Sequence, residues 1–347
     1  MTQRKAISLI SGGLDSLLAT KMIQDQGIHV EGIHFFTGFC IEGHTHAIRK
    51  HELKKPKRNN ALWVAEQLGI KLHIVDVIEE YKSVLLNPRH GYGANMNPCL
   101  DCKVFMVKKA HEWLQRQRFD FIITGEVIGQ RPHSQLKNKL PVVAKQSGAT
   151  ERLLRPLSAK LLPETLPERE GWVERELLGD FHGRGRKPQI ALAKRYGFVD
   201  YAQPAGGCCF LTDAQYSHKL VDLWQHRQSR DYSFDDIMLL KVGRHLRPRP
   251  HFKLIIGREE GENNFLQGYK HQFITLRAID HASALALLDG TADEDDLRLA
   301  AQIVARFGQG RDAESVAISV QHPDKTEQIL EVKPLSVAEI RGEWAVI

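Results

Sequence analysis

Residues 6–16 read Ala6-Ile7-Ser8-Leu9-Ile10-Ser11-Gly12-Gly13-Leu14-Asp15-Ser16. The apolar run to Ile10 predicts a buried strand, and Leu14, Leu17, Leu18 and Met22 share one side of a helix that follows at once. Ser11 to Ser16 is therefore a strand-to-helix turn, where successive backbone N–H groups and a helix N-terminus receive an anion without spending a positive side chain. Gly12 and Gly13 permit close approach, and Ser11 and Ser16 add hydroxyl donors. Asp15 is the odd member. A carboxylate beside phosphates is repulsive unless it holds a cation such as Mg²⁺ or orients the reacting group. A tight turn with a Ser or Asp helix cap is the plainer reading of the same residues.

Outward from this turn the chain alternates short apolar strands with longer helical patterns. Strands are predicted at 5–10, 29–36, 71–77 and 119–124, and helices at 14–26, 58–68 and 101–117. This rhythm predicts an α/β fold whose mostly parallel sheet is covered by helices, with chemistry at the carboxyl ends of the strands. Segments 37–57 and 79–98 read as long loops, and 168–229 as helical at both ends around a Gly- and Cys-containing turn. Near residue 230 the texture changes. Strands at 252–257, 272–279, 315–320 and 328–333 and a helix at 293–307 predict a separate α+β module.

The chain has 347 residues, 42% hydrophobic and 26% charged, which suits a soluble protein of two or three domains. It contains no run of membrane-span length and no secretory h-region, so a cytoplasmic location without membrane contact is expected. The net charge of +6 is concentrated in three runs. These are Arg49, Lys50, Lys54, Lys55, Lys57 and Arg58; Arg184, Arg186, Lys187, Lys194 and Arg195; and Arg244, Arg247, Arg249, Lys253 and Arg258. Beside a nucleotide loop they favour a nucleic-acid substrate over a small metabolite, although each alone is also ordinary solvated surface.

Five cysteines occur, Cys40, Cys99, Cys102, Cys208 and Cys209, an odd number without secretion signals and so no disulfide framework. Cys99 and Cys102 have a spacing suited to metal capture or redox exchange at the start of a predicted helix. Cys208 and Cys209 follow Pro204, Ala205, Gly206 and Gly207, whose double glycine permits a turn that returns one thiol towards the first pair. A four-Cys zinc site requires both Cys208 and Cys209, whose side chains diverge on ordinary backbone, so zinc is the lesser expectation. An iron–sulfur cluster on Cys99, Cys102 and one of the later pair leaves an iron open, and a metal-free reading makes Cys102 and Cys208 partners in persulfide and disulfide exchange. Small buried side chains without chemistry remain the bland reading, and Cys40 reads as incidental.

Ser11–Ser16, Asn97–Cys102 and Gly206–Phe210 together resemble the PP-loop ATP pyrophosphatase family, in particular its tRNA thiouridine synthetases. The resemblance extends over about residues 5–215, and the stretch Gly125–Ser134 with Arg155–Ser158 looks like a further PP-loop group whose members carry an RNA-binding-like C-terminal segment. It implies an adenine-nucleotide alpha-hydrolase-like parallel sheet, with a PP-loop domain at 1–160, a helical extension completing the cysteine site at 161–230 and an α+β module at 231–347.

The resemblance also implies ATP and Mg²⁺ at Ser11, Gly12, Gly13, Asp15 and Ser16, with Asp15, Cys102 and Cys208 catalytic. It makes Cys99, Cys102 and Cys208 the ligands of a [4Fe–4S] cluster, with Cys209 as the alternative to Cys208. The partners so implied are tRNA and a sulfur donor, whether sulfide, a cysteine desulfurase or a sulfur carrier. In such a reaction a uridine carbonyl oxygen takes AMP from ATP, and sulfur then displaces AMP. Lys103 departs from the Asn frequent in 2-thiouridylases after the first cysteine pair.

Weaker candidates are Glu126, Arg131, His133 and Ser134 near the nucleotide, Gly183–Lys187 on an RNA backbone, and His44 and His46 in a loop. A PP-loop ligase or amidotransferase-like enzyme acting on a small molecule explains the loop but not three thiols. A non-catalytic RNA-binding iron–sulfur protein explains both without turnover. Pyrophosphate release that depends on tRNA separates all three.

Overall fold

The computed structural model describes residues 3–41, 58–202 and 208–347. The chain forms two compact units, Met1–Thr37 with Arg58–Gly207 and Gly38–Lys57 with Cys208–Ile347.

The first unit is built on β1 (Lys5–Leu9), β2 (His29–Phe36), β3 (Leu72–Asp76), β4 (Phe121–Ile123) and β5 (Leu153–Leu154). All pairs are parallel, in the order β3-β2-β1-β4-β5. Its helices are α1 (Leu14–Gln24), α2 (Asn60–Leu68), α3 (Ile78–Leu86), α4 (Cys99–Gln117), α5 (Leu140–Gln146), the single turn α6 (Leu166–Arg169) and α7 (Lys187–Arg195). This is the parallel α/β sheet that the strand–helix rhythm predicts. Alternation along β1 sends Ala6 into the core layer of Leu14, Leu17 and Leu18, and Ile7 into the opposite layer with Val107, Leu114 and Ile122. Ser8 shares the α1 side, where its hydroxyl meets Thr20 Oγ1 at 2.7 Å and Thr20 donates to the Ser16 carbonyl. A buried polar pair thus ties β1 to the helix after the turn. Because the strand order runs outward in both directions from β1, the carboxyl ends of β1 and β4 border the topological switch point.

Segment 79–98 departs from expectation, since Ile78–Leu86 is helical and not a loop. Ile78, Tyr81 and Leu85 lie buried on one face, and Glu79 and Glu80 suit the positive N-terminal turn. α4 starts at Cys99, two residues before the expected 101, because Pro98 takes the N-cap position. Residues 42–57, most of the other expected loop, lie outside the described residues.

The second unit comprises α8 (Ala214–Arg227), α9 (Phe234–Leu239), β6 (Arg244–Arg249), β7 (Phe252–Ile256), α10 (Glu260–Gln267), β8 (Ile274–Ala278), β9 (Ala286–Gly290), α11 (Glu294–Arg306), β10 (Val316–Gln321) and β11 (Glu327–Val332). The six strands pair antiparallel in the order β11-β10-β8-β9-β7-β6. Leu297, Ala300, Ala301 and Val304 of α11 pack with Leu276 and Ile318 on one face. Ile255 and Leu287 pack with Leu239 and Leu266 on the other. The sequence reading misses β6 and β9. β6 carries Pro248, which falls in the irregularity between Leu246 and Arg249 of its pairing with β7, where a proline is tolerated.

Candidate nucleotide site and the cysteines

The Ser11–Ser16 turn leaves the carboxyl end of β1 and enters α1. Gly12 has φ +79°, and a Cβ there would stand 2.8 Å from Asn60 Cβ and 3.0 Å from the Ala61 nitrogen. The turn therefore presses on the start of α2, whose first amides are capped by the Asn59 side chain. Two helix N-termini converge on one short loop, the arrangement that favours an anion. Gly125, just beyond β4, closes the other side, since a Cβ there would lie 2.5 Å from both the Asp15 carbonyl carbon and the Ser16 nitrogen. At Gly13 the nearest atom to a Cβ is Ser11 Oγ at 3.6 Å, so that position has room. Ser16 Oγ donates to the Gly13 carbonyl at 2.8 Å and accepts from Ser11 Oγ at 3.4 Å.

Asp15 is held by residues outside the motif. Gln130 Nε2 donates to Asp15 Oδ2 at 2.6 Å, and the fully buried Gln189 of α7 donates to Gln130 Oε1 at 2.9 Å. The Arg186 guanidinium stands 3.8 Å from the same Asp15 oxygen. Asp15 Oδ1 is buried with no hydrogen-bond partner among the described residues. A buried, orphaned carboxylate oxygen beside a cradle of N–H donors fits a hard divalent cation such as Mg²⁺. Gln130 lies in the Gly125–Ser134 stretch but the sequence reading gives it no role there, and Gln189 has no motif to announce it.

Glu126 has a different part. It is 1% exposed and ion-paired with Arg155 at 3.0 Å, with the Thr124 hydroxyl also donating to it. Burial alone would raise its pKa, but the Arg155 and Lys103 charges and these hydrogen bonds hold it below the ordinary carboxylate value. The pair braces the ends of β4 and β5. Ser134 is buried, whereas Arg131 is half-buried and His133 exposed with φ 72°.

Cys99 and Cys102 both fall in the first turn of α4, one helical turn apart and so on one face. The Asn97 side-chain amide donates to Cys99 Sγ at 3.2 Å. Cys208 and Cys209 belong to the second unit, where Cys208 is exposed and Cys209 half-buried. Cys209 has extended backbone, φ −146° and ψ 160°, and forms an antiparallel bridge with Cys40. Pro204 to Gly207 lie outside the described residues, as do His44 and His46. Within neither unit do the described residues bring three His, Cys, Asp or Glu side chains together as a metal-holding group.

The basic runs differ in their surroundings. Arg58 forms a bidentate pair with Asp200 at 2.5 and 2.8 Å and stacks 3.2 Å over Trp63; the rest of that run is outside the described residues. In the third run, Arg247 is bidentate to Asp222, and Lys253, 1% exposed, lies between Asp222 and Asp289. These side chains hold α8 against the sheet, so Arg247 and Lys253 of the third run are spent on internal pairs. Sequence proximity of like charges conceals that their partners come from α8 and β9. Arg184, Lys187, Lys194 and Arg195 do not share this fate of burial, and Arg244, Arg249 and Arg258 are exposed.

Comparison with known proteins adds two matches along the chain. Residues 1–160 match the family described as "Thiamine biosynthesis protein (ThiI)", and residues 243–345 match the "NFACT protein RNA binding domain". A "tRNA-specific 2-thiouridylase MnmA" of Petrotoga mobilis is 28% identical over 134 residues, 37% of this chain and 36% of that protein. A "Probable tRNA sulfurtransferase" of Thermococcus kodakarensis is 27% identical over 139 residues, 40% of this chain and 33% of that protein. The chain thus spans about a third of the length of these relatives. No helix among the described residues is long and apolar enough to cross a membrane.

Proposed function

We propose that this chain, a ThiI-type PP-loop domain followed by an NFACT-type RNA-binding domain, is an ATP-dependent tRNA sulfurtransferase of the cytoplasm. The observation that carries the reading is the Ser11–Ser16 cradle with the orphaned Asp15 Oδ1 at its centre. A uridine carbonyl oxygen is a poor leaving group. Attack of that oxygen on the α-phosphorus of ATP forms an O–P bond and breaks the bond to pyrophosphate, leaving the uridine as an O-adenylate. In this reading Ser11, Gly12, Gly13 and Ser16 receive the departing pyrophosphate through backbone N–H groups and hydroxyls, and Asp15 holds the counter-cation. Mg²⁺ bound there supplies charge neutralisation at the leaving phosphates. Arg186 adds positive charge beside the same carboxylate. A sulfur nucleophile then adds to the activated carbon and AMP leaves, exchanging C=O for C=S.

Cys99, Cys102 and Cys208 are the thiols that we assign to sulfur delivery. The Asn97 amide donates to Cys99, and Cys99 and Cys102 share the first turn of α4 and so one face. The exposure of Cys208, beside a Cys209 engaged in backbone pairing, supports Cys208 as the third. A [4Fe–4S] cluster held by these thiols would present sulfide to the activated carbon; in the metal-free form the outer sulfur of a Cys208 persulfide attacks that carbon, and the Cys102 thiolate then takes the Cys208 sulfur as a disulfide, leaving the outer sulfur on the uridine. Iron and acid-labile sulfide analysis of anaerobically purified, active protein separates the two forms. The function itself is tested by incubating the protein with ATP, Mg²⁺, sulfide and unmodified tRNA. Pyrophosphate release that needs tRNA and thiolated uridine in the digested product are expected. Turnover with a small acceptor and no RNA would instead establish a ligase.

A further inference from the structure

Cys40 stands outside the motifs that carry the proposed reaction, yet it has a defined opposite number. It faces Cys209 across an antiparallel bridge. The flanking residues make the bonds, Phe210 N–H to the Phe39 carbonyl at 2.9 Å and Ile41 N–H to the Cys208 carbonyl at 3.4 Å. Cys40 and Cys209 are therefore a non-hydrogen-bonded pair, the narrow kind in which Cα atoms stand about 4.5 Å apart and the side chains leave on one face. That separation lies inside the range of about 4.4–6.8 Å that a disulfide spans without backbone movement.

The surroundings fix both strands of this bridge. Phe39 is 1% exposed and meets Tyr216 and Tyr232 edge-on, with ring centroids 6.3 and 5.5 Å away. Lys241 donates to the Gly38 carbonyl at 2.5 Å, and the Thr212 hydroxyl to the Cys209 carbonyl at 2.8 Å. Lys241 also lies 5.1 Å over the Phe210 ring and is near enough for a charge on Cys40 to act on it. The extended backbone of Cys209 sends its neighbour Cys208 to the opposite side.

We propose that Cys40 and Cys209 are a thiol–disulfide redox pair, distinct from the thiols assigned to sulfur delivery. Its oxidant is a low-molecular-weight disulfide. One thiolate of the pair attacks that disulfide, forming a mixed disulfide and expelling one small thiol. The second thiolate then attacks the protein sulfur of the mixed disulfide, forming the Cys40–Cys209 bond and expelling the other small thiol. Two protein thiols are oxidised and one small disulfide is reduced to two thiols. A dithiol reverses the sequence.

The inference stands whether or not the chain thiolates tRNA. Full-length protein, freshly reduced under argon, is equilibrated with glutathione disulfide and glutathione at a series of ratios, alkylated, digested and mapped by mass spectrometry. The expected product is a peptide containing Cys40 joined to the peptide containing Cys208 and Cys209. It persists in Cys208→Ser and disappears in Cys40→Ser and Cys209→Ser. A cross-link that disappears in Cys208→Ser and survives Cys209→Ser would overturn the assignment. So would glutathionylated cysteines alone, with no cross-link in the wild-type protein at any ratio.

Discussion

Gln130 donates to one oxygen of Asp15 at 2.6 Å, and the other, Oδ1, is buried with no hydrogen-bond partner among the described residues. The amide fixes which oxygen is spent on the protein; in the proposed function the other takes the cation. Gln189 fixes Gln130 in turn, so the orientation of a loop carboxylate is set from α7, far along the chain. Gln130→Ala should weaken Mg²⁺-supported pyrophosphate release about tenfold, the effect of losing about 1.5 kcal/mol of hydrogen bonding to a charged group. Raising Mg²⁺ should restore much of the loss. Pyrophosphate release measured against Mg²⁺ concentration checks this, and a rate loss that Mg²⁺ leaves untouched would sink the orienting role.

Two glycines beside the same loop should behave oppositely. Gly125→Ala places a Cβ 2.5 Å from backbone atoms of Asp15 and Ser16, which cannot swing aside as a side-chain tip can. A loss of about 1–3 kcal/mol in stability is expected, together with loss of nucleotide binding. At Gly13 a Cβ has open space to 3.6 Å, and φ is −91°, so Gly13→Ala should keep the melting temperature within about 2 °C. Thermal melts and ATP-analogue titrations of both variants test the contrast.

Glu126→Gln leaves the Arg155 guanidinium buried without its carboxylate. The cost should be about 3–5 kcal/mol, seen as a melting temperature lowered by roughly 10 °C. The sign of the pH dependence follows from the direction of the shift. The folded pKa of Glu126 lies below its ordinary 4.5, so the pair's contribution is complete above that value and fades as pH falls through the lower one. Wild type and variant should therefore differ fully at neutral pH and converge only in acid.

Lys219 makes the opposite case. It is 7% exposed, and burial, reinforced by the Arg258 and Lys253 charges, pulls its pKa from 10.5 to about 8. Its ammonium reaches the Leu240 and Gly243 carbonyls only at 3.4 Å. Below about 8 the folded chain carries the full penalty of a buried charge, and as pH rises towards 10.5 it sheds that proton before the unfolded chain does. Lys219→Met should stabilise the protein at pH 7 by up to ~3 kcal/mol, and the gain should shrink by pH 10. Melting curves of both proteins at the two pH values measure the difference of differences.

Much of the nucleotide unit is legible in the sequence because local signals agree. The run Ala6–Ile10, the double glycine and the apolar side of Leu14, Leu17 and Leu18 each point to strand, turn and helix in that order. α3 was equally legible from Ile78, Tyr81 and Leu85, but the Gly, His and Pro residues that follow it obscure the pattern. What carries no local signal is the partner chosen at long range. Gln130 and Gln189 look like surface amides, Lys253 and Arg247 look like a basic patch, and Cys40 looks incidental until Cys209 stands opposite it. Each depends on which strand lies beside which, a property of topology that no short window contains.

The bridge between Cys40 and Cys209 also bears on how the protein is made. Gly38 to Ile41 leave the ribosome early, but Cys208 to Phe210 follow only after the nucleotide unit has been synthesised. At about 5–20 residues per second the first strand waits roughly ten to thirty seconds for its partner. Through that interval Phe39, which ends 1% exposed, has none of Tyr216 or Tyr232 to cover it. The second unit therefore cannot close around Phe39 until the first has been synthesised.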